Sequence, residues 1–594
     1  MQRNPSDLCN REFDILIVGA GAFGAAAARD ACLRGLRTAL IERADFGGGT
    51  SAECFKMVHG GIRYLQHADV PRLRASCHER SALLRIAPHL VHPLPIAIPT
   101  YGYGRRGRAL LAAGARTYDW LTFDRNSGIR DRQRQIRASR LLSRSQTLDL
   151  FPHLRAPDLT GAVVFEDGQM YNPARLVLAF VSSAVDAGAT ACNYVEATKF
   201  VWSGSRVCGV HARDRLSGEE FEVRARLTLN AAGPWADYLQ NDPQRFGTWR
   251  RLPFSRDAYF IVARPPSSEY GLAVQGMSRD RDAVLGRATR HLFAVPWRDK
   301  TLIGVWHSLF PGPPDAAQVR PDELDTWIAE LNAVYPTLQL SADEVSFANC
   351  GLVPFGDTAT QTELSFGKES RVVDHRAAHG ICGLVSLVGI RFTTARADAA
   401  RALDLLLQQL PSAPPDAGTS RLPLAGGDID DFATFEAQAL RTKPAGVGVP
   451  AMRALLRNHG TRYSRVVQRC SASADLGARI PDTTTLLAEI RHAVAEEMAV
   501  KLEDVVMRRT ELAAGSHPGR RALEVAAREM ARHLQWADDR VREEIADTER
   551  TLQRHLARAT ADFAATPPAA EHGAMLARLA ANAVAQRLES DRIQ

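Results

Sequence analysis

The sequence is poor in cysteine and lacks long apolar runs. Nine cysteines are scattered over 594 residues, none of them in a Cys-x-x-Cys spacing, which is not the pattern of a disulfide framework or of a zinc site. We therefore expect free thiols, no bound metal and a reducing, cytoplasmic location. A membrane-spanning helix needs about 18 or more consecutive apolar residues, and because the sequence contains no such run, we expect none.

Lysine is also scarce, since six lysines stand beside 68 arginines in a chain of net charge +7. The segment 105–144 carries eleven of those arginines and only three acidic residues. Within it, 105–121 places arginines beside a Leu/Ala stretch that ends in Tyr118 and Trp120, which is typical of a helix lying on an anionic membrane surface. A solvated basic helix face is the alternative. We expect no binding to nucleic acid, because no recognition fold accompanies the charge.

The length predicts two or three domains, because one hydrophobic core rarely serves so long a chain. The hydrophobic pattern predicts a strand at 14–18, an alanine-rich helix at 22–35 and a second strand at 37–42. A stretch rich in Pro, Ser and Gly at 410–427 indicates a linker, and 428–594 is predicted to be a helical domain. In that domain, apolar residues every four positions predict one continuous helix over 485–509.

A glycine-rich turn joins the first predicted strand to the first helix. Its sequence, Gly19-Ala-Gly21-Ala-Phe-Gly24, permits a tight turn, the approach of a pyrophosphate to the backbone, and close packing of helix on strand. The helix N-terminus adds free N–H groups that favour an anion. Glu42 ends the second strand, where its carboxylate can accept hydrogen bonds from ribose hydroxyls. Together these features predict a dinucleotide-binding unit, without separating FAD from NAD.

A second motif follows the second strand. Gly49-Thr50-Ser51 precedes Lys56-Met-Val-His59-Gly60-Gly61-Ile-Arg63-Tyr64-Leu. This stretch resembles the T-S-S-x-x-x-K-L-[IV]-H-G-G-[LI]-R-Y-L motif of the FAD-dependent glycerol-3-phosphate dehydrogenases and oxidases. Further motifs similar to those of this family occur in the same order over about 13–555, at 167–169, 172–176, 230–236, 387–394 and 491–510.

The resemblance implies an α/β fold with three parts. These are a glutathione-reductase-like, FAD-binding Rossmann core (12–95, 155–245 and 345–409), an interleaved α+β substrate domain (96–154 and 246–344) and a C-terminal all-α domain. It also implies oxidation of glycerol 3-phosphate to dihydroxyacetone phosphate. In that reaction a base takes the hydroxyl proton, hydride passes to flavin N5, and electrons pass on to quinone or another acceptor.

The glycine motif and the resemblance together imply two sets of site residues. The residues expected to bind FAD are Gly19, Gly21, Phe23, Gly24, Glu42, Thr50, Ser51, Lys56, His59, Gly60, Gly61, Gly233, Trp235, Gly389, Phe392 and Thr393. The residues expected to face a small, anionic, hydroxylated substrate are Arg63, Tyr64, Arg371, Arg391, Tyr259 and His307. We expect His59 to hydrogen-bond or pack beside the flavin rather than to bind it covalently, and Cys54 to serve packing.

Membrane-bound members of this family pass electrons to quinone and carry a basic amphipathic helix near the place of 105–121. The resemblance therefore extends the membrane hypothesis to a peripheral location on the inner face of the cytoplasmic membrane, with quinone as a partner. A homodimer is a further partner hypothesis.

Several substrate-side positions depart from the family motifs. Val353 replaces the arginine of G-[VL]-R-P-[LF], Arg391 replaces the lysine of G-G-K-L-T-T, and Tyr259 aligns with the histidine of G-x-H-[IVL]. His307 stands where I-G-T-T-D has aspartate. One interpretation is drift, with His307 or Arg391 taking over the missing functions. The other is a different alcohol, amine or hydroxy acid as substrate, because losing a bidentate phosphate partner weakens binding unless it is replaced. A flavin-binding protein without turnover is a third alternative.

Overall fold

The computed structural model describes residues 1–9, 11–102, 107–152, 154, 157–247, 254–279, 289–354 and 370–556, without the side chains of residues 63, 66, 278, 279, 289, 290, 472 and 474. The strands in this part of the chain are β1 (Glu12–Val18), β2 (Thr38–Ile41), β3 (Met57–Val58), β4 (Val91–Tyr101), β5 (Arg140–Leu142), β6 (Leu159–Met170), β7 (Thr190–Cys192), β8 (Val195–Ser203), β9 (Arg206–Asp214), β10 (Glu220–Asn230), β11 (Phe254–Val262), β12 (Gly271–Arg279), β13 (Thr289–Trp297), β14 (Lys300–Phe310), β15 (Val345–Pro354), β16 (Arg371–Asp374) and β17 (Leu384–Val388).

The α-helices of the same part are α1 (Ala22–Leu33), α2 (Val70–Ile86), α3 (Arg108–Leu121), α4 (Arg144–Leu150), α5 (Pro173–Asp186), α6 (Pro243–Phe246), α7 (Pro321–Val334), α8 (His375–His379), α9 (Ala395–Leu407), α10 (Phe432–Arg441), α11 (Val449–His459), α12 (Tyr463–Ala472), α13 (Leu487–Glu496), α14 (Arg520–Leu534) and α15 (Asp538–Gln553). None of the described helices is both long and apolar enough to cross a bilayer.

The first sheet has the strand order β16-β17-β10-β1-β2-β7, and the β8–β9 hairpin extends it from β10. The strands from β17 to β7 run parallel, and both faces of the sheet are covered. Along β1, Ile15 and Ile17 pack on the helix side while Leu16 and Val18 pack on the opposite side, as expected for a parallel sheet buried on both faces. The predicted β-α-β opening and the α/β fold class are confirmed.

The second sheet is mainly antiparallel. Its order is β15-β11-β14-β13-β12-β4-β6-β3, with β5 paired to β6. In β11, Asp257 lies opposite His307 of β14 and Gly351 of β15, while Ser255 lies opposite Val353. Side chains two residues apart on a strand share a face, so Ser255, Asp257, His307 and Val353 lie on one face of this sheet.

The sheet pairings differ from part of the expected domain division. The ranges 155–245 and 345–409 were expected to lie in the Rossmann core, but β6 and β15 hydrogen-bond to strands of the second sheet. In the sequence, β6 and β15 each follow other strands of the second sheet. The apolar pattern of a strand does not indicate which neighbouring strand it pairs with. The expected C-terminal all-α part is confirmed, since the named elements from Phe432 to Gln553 are all helical, and it belongs to one compact unit that spans Met1–Ala557. The expectation for residues 557–594 lies outside the described residues.

The expected linker at 410–427 is docked on the first sheet's helices. The buried guanidinium of Arg29 in α1 donates to the carbonyls of Thr419 and Leu422, and Leu424 is buried. Beyond it, the C-terminal helices pack over the second sheet, where α13, α14 and α15 share a core with Tyr259 and Trp297. The linker therefore holds the C-terminal helices against the rest of the chain.

The expected continuous helix over 485–509 is wrong. Helix α13 ends at Glu496, Met498 has φ of 56°, and a separate π-helical turn spans Asp504–Arg509. The Asp504 carboxylate accepts hydrogen bonds from the N–H groups of Val500 and Lys501, each at 2.9 Å. Apolar residues continue with helical spacing across this break, so the spacing alone predicts one helix.

Candidate active site

A cavity of about 970 Å³ lies between the two sheets, at the upper end of the size range of small-molecule sites. On one side, the cavity is lined by residues at or just after the carboxyl ends of β1, β2 and β10. These strands are parallel and paired in register, so their carboxyl ends lie at the same edge of the first sheet. On the other side it is lined by β11, β14 and β15 of the second sheet. Ligands of open α/β sheets bind at such carboxyl edges.

The glycine-rich turn forms a cradle that side chains would fill. Gly19 has φ of +97°, and a Cβ there would lie 2.7 Å from the Ala231 carbonyl oxygen. A Cβ on Gly24 would lie 1.8 Å from the Gly19 carbonyl oxygen, and one on Gly389 would lie 1.8 Å from Cζ of Phe23. The N-cap of α1 is Gly21, which supplies no capping side chain. The turn therefore leaves backbone and helix N-terminus open to a pyrophosphate, and the residues present fit a dinucleotide.

Glu42 is held at the rim of this cradle. Its carboxylate accepts hydrogen bonds from the N–H groups of Ala20 and Ala44, at 2.8 and 2.9 Å. Burial raises the pKa of Glu42, and the two N–H donors oppose that shift. Glu42 lines the cavity, where its remaining lone pairs can accept hydrogen bonds from a ligand.

The second motif closes the cavity from the β3 side. The His59 backbone N–H donates to Thr393 Oγ1 at 3.0 Å, which joins two segments expected to contact FAD. His59 Nδ1 lies 3.4 Å from Asp167 Oδ2, and the His59 side chain is half-exposed to the cavity. Burial acts to raise the pKa of Asp167, but the hydrogen bond with His59 and the charge of Arg80 lower it below its ordinary value. Asp167 is thus a buried carboxylate that orients the His59 ring.

A cationic group lies beside an aromatic ring at the substrate side. The Arg391 Nη1 group donates to Tyr64 Oη at 2.6 Å and to Ser76 Oγ at 2.7 Å. Gly61 permits this arrangement, because it has φ of +81° and a Cβ there would lie 2.6 Å from Cδ2 of Tyr64. The Tyr64 ring therefore packs directly on the backbone and fixes the position of Arg391.

Tyr259 lines this cavity, and its hydrogen-bond partners Lys56 and Asn349 line a second one of about 310 Å³. Its hydroxyl oxygen accepts hydrogen bonds from Lys56 Nζ and from Asn349 Nδ2. Lys56 lines the second cavity, and burial lowers its pKa to about 8. The structure thus places Tyr259 at the first cavity with Lys56 behind it.

His307 and Asp257 form a second histidine–carboxylate pair at the cavity. His307 Nδ1 lies 2.7 Å from Asp257 Oδ1, and Ser255 Oγ donates to the same oxygen at 2.7 Å. Val353 is 7% exposed and lies across the strand from Ser255. An apolar side chain and a histidine–aspartate pair therefore occupy the face on which the family motif has an arginine.

Most of the predicted site residues line the one cavity. These are Gly19, Gly21, Phe23, Glu42, Thr50, Ser51, His59, Gly61, Tyr64, Gly233, Trp235, Tyr259, His307, Gly389, Arg391, Phe392 and Thr393. Gly24, Gly60, Lys56 and Arg371 are not among its lining residues. Gly24 serves helix packing, Gly60 packs against Arg80, and Arg371 begins β16 opposite Val388. The Arg63 side chain lies outside the described residues.

Sequence reasoning missed Arg72, Asp257 and the pairing role of Asp167. Arg72 lines the cavity and lies in the first turn of α2, whose N-cap is Asp69. The Asp69-Val-Pro71 sequence is a recognisable helix start, so the helix position was accessible. The contact of Arg72 with Tyr64 depends on the path of the chain between them and has no local signal.

Residues 14–393 match the family described as FAD dependent oxidoreductase, and residues 417–541 match the C-terminal domain of alpha-glycerophosphate oxidase. The chain is 30% identical over 559 residues to a glycerol-3-phosphate dehydrogenase of Synechocystis sp., covering 91% of this chain and 97% of that protein. It is also 30% identical to a mitochondrial glycerol-3-phosphate dehydrogenase of Mus musculus, covering 91% and 73%. A solved glycerol-3-phosphate dehydrogenase from Bacillus halodurans, complexed with FAD, shares the fold, with a TM-score of 0.74, 24% identity, and coverage of 94% and 98%.

Proposed function

The chain belongs to the family of FAD-dependent glycerol-3-phosphate dehydrogenases, and from this premise we propose that it oxidises glycerol 3-phosphate to dihydroxyacetone phosphate. Its cofactor is FAD. The observation that carries the proposal is the single cavity in which the glycine cradle, Arg391 and two histidine–aspartate pairs meet. Bound FAD supplies the acceptor for the hydrogen that leaves the substrate carbon as hydride.

The residues that hold FAD are those of the glycine cradle and the segments around it. The turn at Gly19 and Gly21 receives the pyrophosphate at the N-terminus of α1. Glu42 would accept hydrogen bonds from ribose hydroxyls, and the segments at 59–61 and 389–393 would contact the flavin. Gly24 and Gly389 keep these segments close to their neighbours, because a Cβ at either position would overlap Gly19 or Phe23.

Oxidation of an alcohol also needs a group that accepts the hydroxyl proton. We assign this role to His59, because its Nδ1 is oriented by Asp167 and its segment is bonded to Thr393, beside the expected flavin site. His307, oriented by Asp257 on the second sheet, contacts the substrate from the opposite side. Arg391 supplies positive charge for the phosphate and for the alkoxide that forms as the proton leaves.

The proposed function is tested by product analysis. The purified holoenzyme is incubated with glycerol 3-phosphate and an artificial electron acceptor, and dihydroxyacetone phosphate is quantified together with acceptor reduction. We expect one equivalent of ketone for each two electrons accepted, and no comparable turnover with glycerol. Turnover of an uncharged alcohol or of an amine in preference to glycerol 3-phosphate would overturn the proposed substrate.

Contact with a membrane surface, where quinone is the proposed electron acceptor, is supported by α3. The exposed fractions of Trp120, in the last turn of α3, and of Phe123, just beyond that helix, are 75% and 80%. The exposed Arg108 and Arg116 lie on the same helix as Trp120. Large exposed aromatic side chains beside arginine favour the interface of an anionic bilayer. We propose that the chain attaches peripherally to the inner face of the cytoplasmic membrane through the described part of 105–121 and the residues that follow it. Residues 105 and 106 lie outside the described part.

Replacing Trp120 and Phe123 together with glutamate is expected to weaken binding to anionic vesicles about tenfold or more, because two apolar side chains no longer enter the interface. Cosedimentation with phosphatidylglycerol vesicles measures the bound fraction. The control is Leu216→Glu, a comparable change at an apolar residue that is 40% exposed in the segment between β9 and β10. Equal binding by the wild type and the double variant would contradict the membrane proposal.

A further inference from the structure

We propose that Arg72 is a further substrate-binding residue, which together with Arg391 holds the anionic end of the substrate against Tyr64. This inference rests on the proposed function, since the anion is the phosphate group of glycerol 3-phosphate. Arg72 adds a second arginine, besides Arg391, to the described part of a pocket in which Val353 replaces the arginine of the family motif.

The two guanidinium groups converge on one aromatic ring. Cζ of Arg72 and Cζ of Arg391 each lie 5.2 Å from the centroid of the Tyr64 ring. All three residues line the cavity. Because Tyr64 packs on the backbone of Gly61, the ring is a fixed base that sets the separation of the two arginines.

Arg72 is held in place by the start of α2. Its backbone N–H donates to Asp69 Oδ1 at 3.1 Å, and its Nη2 group pairs with Asp69 Oδ2 at 2.8 Å. The guanidinium therefore approaches the cavity in one orientation, with Asp69 occupying only one side of its donor fork. Its Nε atom is buried without a hydrogen-bond partner among the described residues.

The hydrogen-bonding capacity of both arginines exceeds what the protein supplies. Arginine has five N–H donors. Arg391 uses Nη1 for Tyr64 and Ser76, and it forms no ion pair with any residue the structure describes. Buried polar groups in folded proteins are almost always paired, so the buried Nε of Arg72 calls for an acceptor, and the remaining donors of Arg391 at the cavity are available to oxygens of the same ligand.

The charge at this end of the cavity fits a phosphate monoester. Among the described side chains at this end, Arg72 pairs with Asp69 and Arg391 with no carboxylate, which leaves a net positive charge. Planar guanidinium groups recognise phosphate through paired N–H···O bonds. Val353, the apolar residue in the place of the family's arginine, offers no such donor, so Arg72 restores a second cation to the pocket.

The test compares two arginines of the same helix in the holoenzyme. Arg72→Gln removes the cation at the cavity. Arg74→Gln is the control, because Arg74 is 39% exposed, pairs with Asp124 at 2.8 Å, and does not line the cavity. Anaerobic reduction of the flavin is followed with glycerol 3-phosphate and with uncharged glycerol, and binding of inorganic phosphate is measured from the shift it causes in the oxidised flavin spectrum.

For Arg72→Gln we expect the half-saturating concentration of glycerol 3-phosphate to rise about 10- to 100-fold, as expected for one lost charged hydrogen-bond pair. Phosphate binding weakens to a similar extent. The much slower reduction by glycerol, followed over a longer time, is unchanged, and Arg72→Lys recovers part of the loss because it retains the charge without the fork. Arg74→Gln behaves as the wild type does.

Two results would overturn the inference. One is an Arg72→Gln enzyme that binds phosphate and glycerol 3-phosphate like Arg74→Gln. The other is equal weakening for glycerol and glycerol 3-phosphate, which indicates a structural role only. If glycerol 3-phosphate does not reduce the wild-type flavin, the proposed function fails, and phosphate binding by the two variants still decides whether Arg72 binds the anion.

Discussion

Replacing His59 with asparagine is expected to slow flavin reduction by glycerol 3-phosphate about 10²- to 10⁴-fold, the range typical for loss of a general base. Asparagine keeps a hydrogen bond to Asp167 within reach but cannot accept the hydroxyl proton. The half-saturating substrate concentration changes little, because the binding groups Arg391 and Arg72 remain. Anaerobic stopped-flow measurement of flavin reduction over a range of substrate concentrations gives both quantities.

The comparison variant is His307→Asn, which alters the second histidine–aspartate pair of the same cavity. Because we assign His307 to substrate contact, its loss raises the half-saturating concentration more than it lowers the limiting rate. The flavin content of each purified variant is measured first, since His59 lies in a segment that holds FAD. A limiting rate that falls for His307→Asn and persists for His59→Asn would reverse the two roles.

The second large effect concerns the link between the C-terminal helices and the Rossmann part. Asp45, which follows β2, is buried and accepts hydrogen bonds from Arg508 at 2.6 Å and from both Nη groups of Arg509 at 2.7 Å. Burial acts to raise the pKa of Asp45, but the charges of Arg509 and Arg508 lower it below its ordinary value. The carboxylate is therefore ionised and bridges two buried arginines, of which Arg508 also pairs with Glu503 and Asp504.

Asp45→Asn is expected to lower the free energy of unfolding by about 3–5 kcal/mol, because the buried Arg509 then has no carboxylate partner among the described residues. Urea unfolding of the holoenzyme, followed by tryptophan fluorescence, measures this change. The control is Asp430→Asn, which breaks a pair with Arg130 whose side chains are 82% and 81% exposed. Exposed pairs contribute at most about 1 kcal/mol, so equal losses in the two variants would contradict the proposed role of Asp45.

The local features of the cofactor site could be predicted from the sequence. Gly19 and Gly21 lie between a strand and a helix that are adjacent in the chain, and Gly24 lies in the first turn of that helix. The spacing of the three glycines therefore indicates the geometry of the turn. The position of Glu42 at the end of the next strand follows from the same unit. For these residues, the neighbours in the sequence motif are also the neighbours in the structure.

The rest of the site depends on contacts between distant segments. Asp45 and Arg509 are 464 residues apart, and nothing near either residue indicates the other. The pairing of β15 with β11, which places Val353 near Asp257, follows from sheet register rather than from local pattern. Similarly, the break after α13 escapes prediction because apolar spacing continues through it. The position of Arg72 at the cavity was not predicted for the same reason. Its contact with Tyr64 depends on the turn that the chain makes between the two residues, at Asp69.

The measurement that tests the central proposal most directly is anaerobic. Glycerol 3-phosphate is added to the yellow, purified holoenzyme without any other electron acceptor, and the flavin absorbance is recorded. We expect the flavin to bleach within seconds, with a dependence on substrate concentration that Arg72→Gln shifts and Arg74→Gln does not. A flavin that stays oxidised with glycerol 3-phosphate but bleaches with another alcohol or an amine would contradict the proposed substrate, and would assign the cavity to that compound instead.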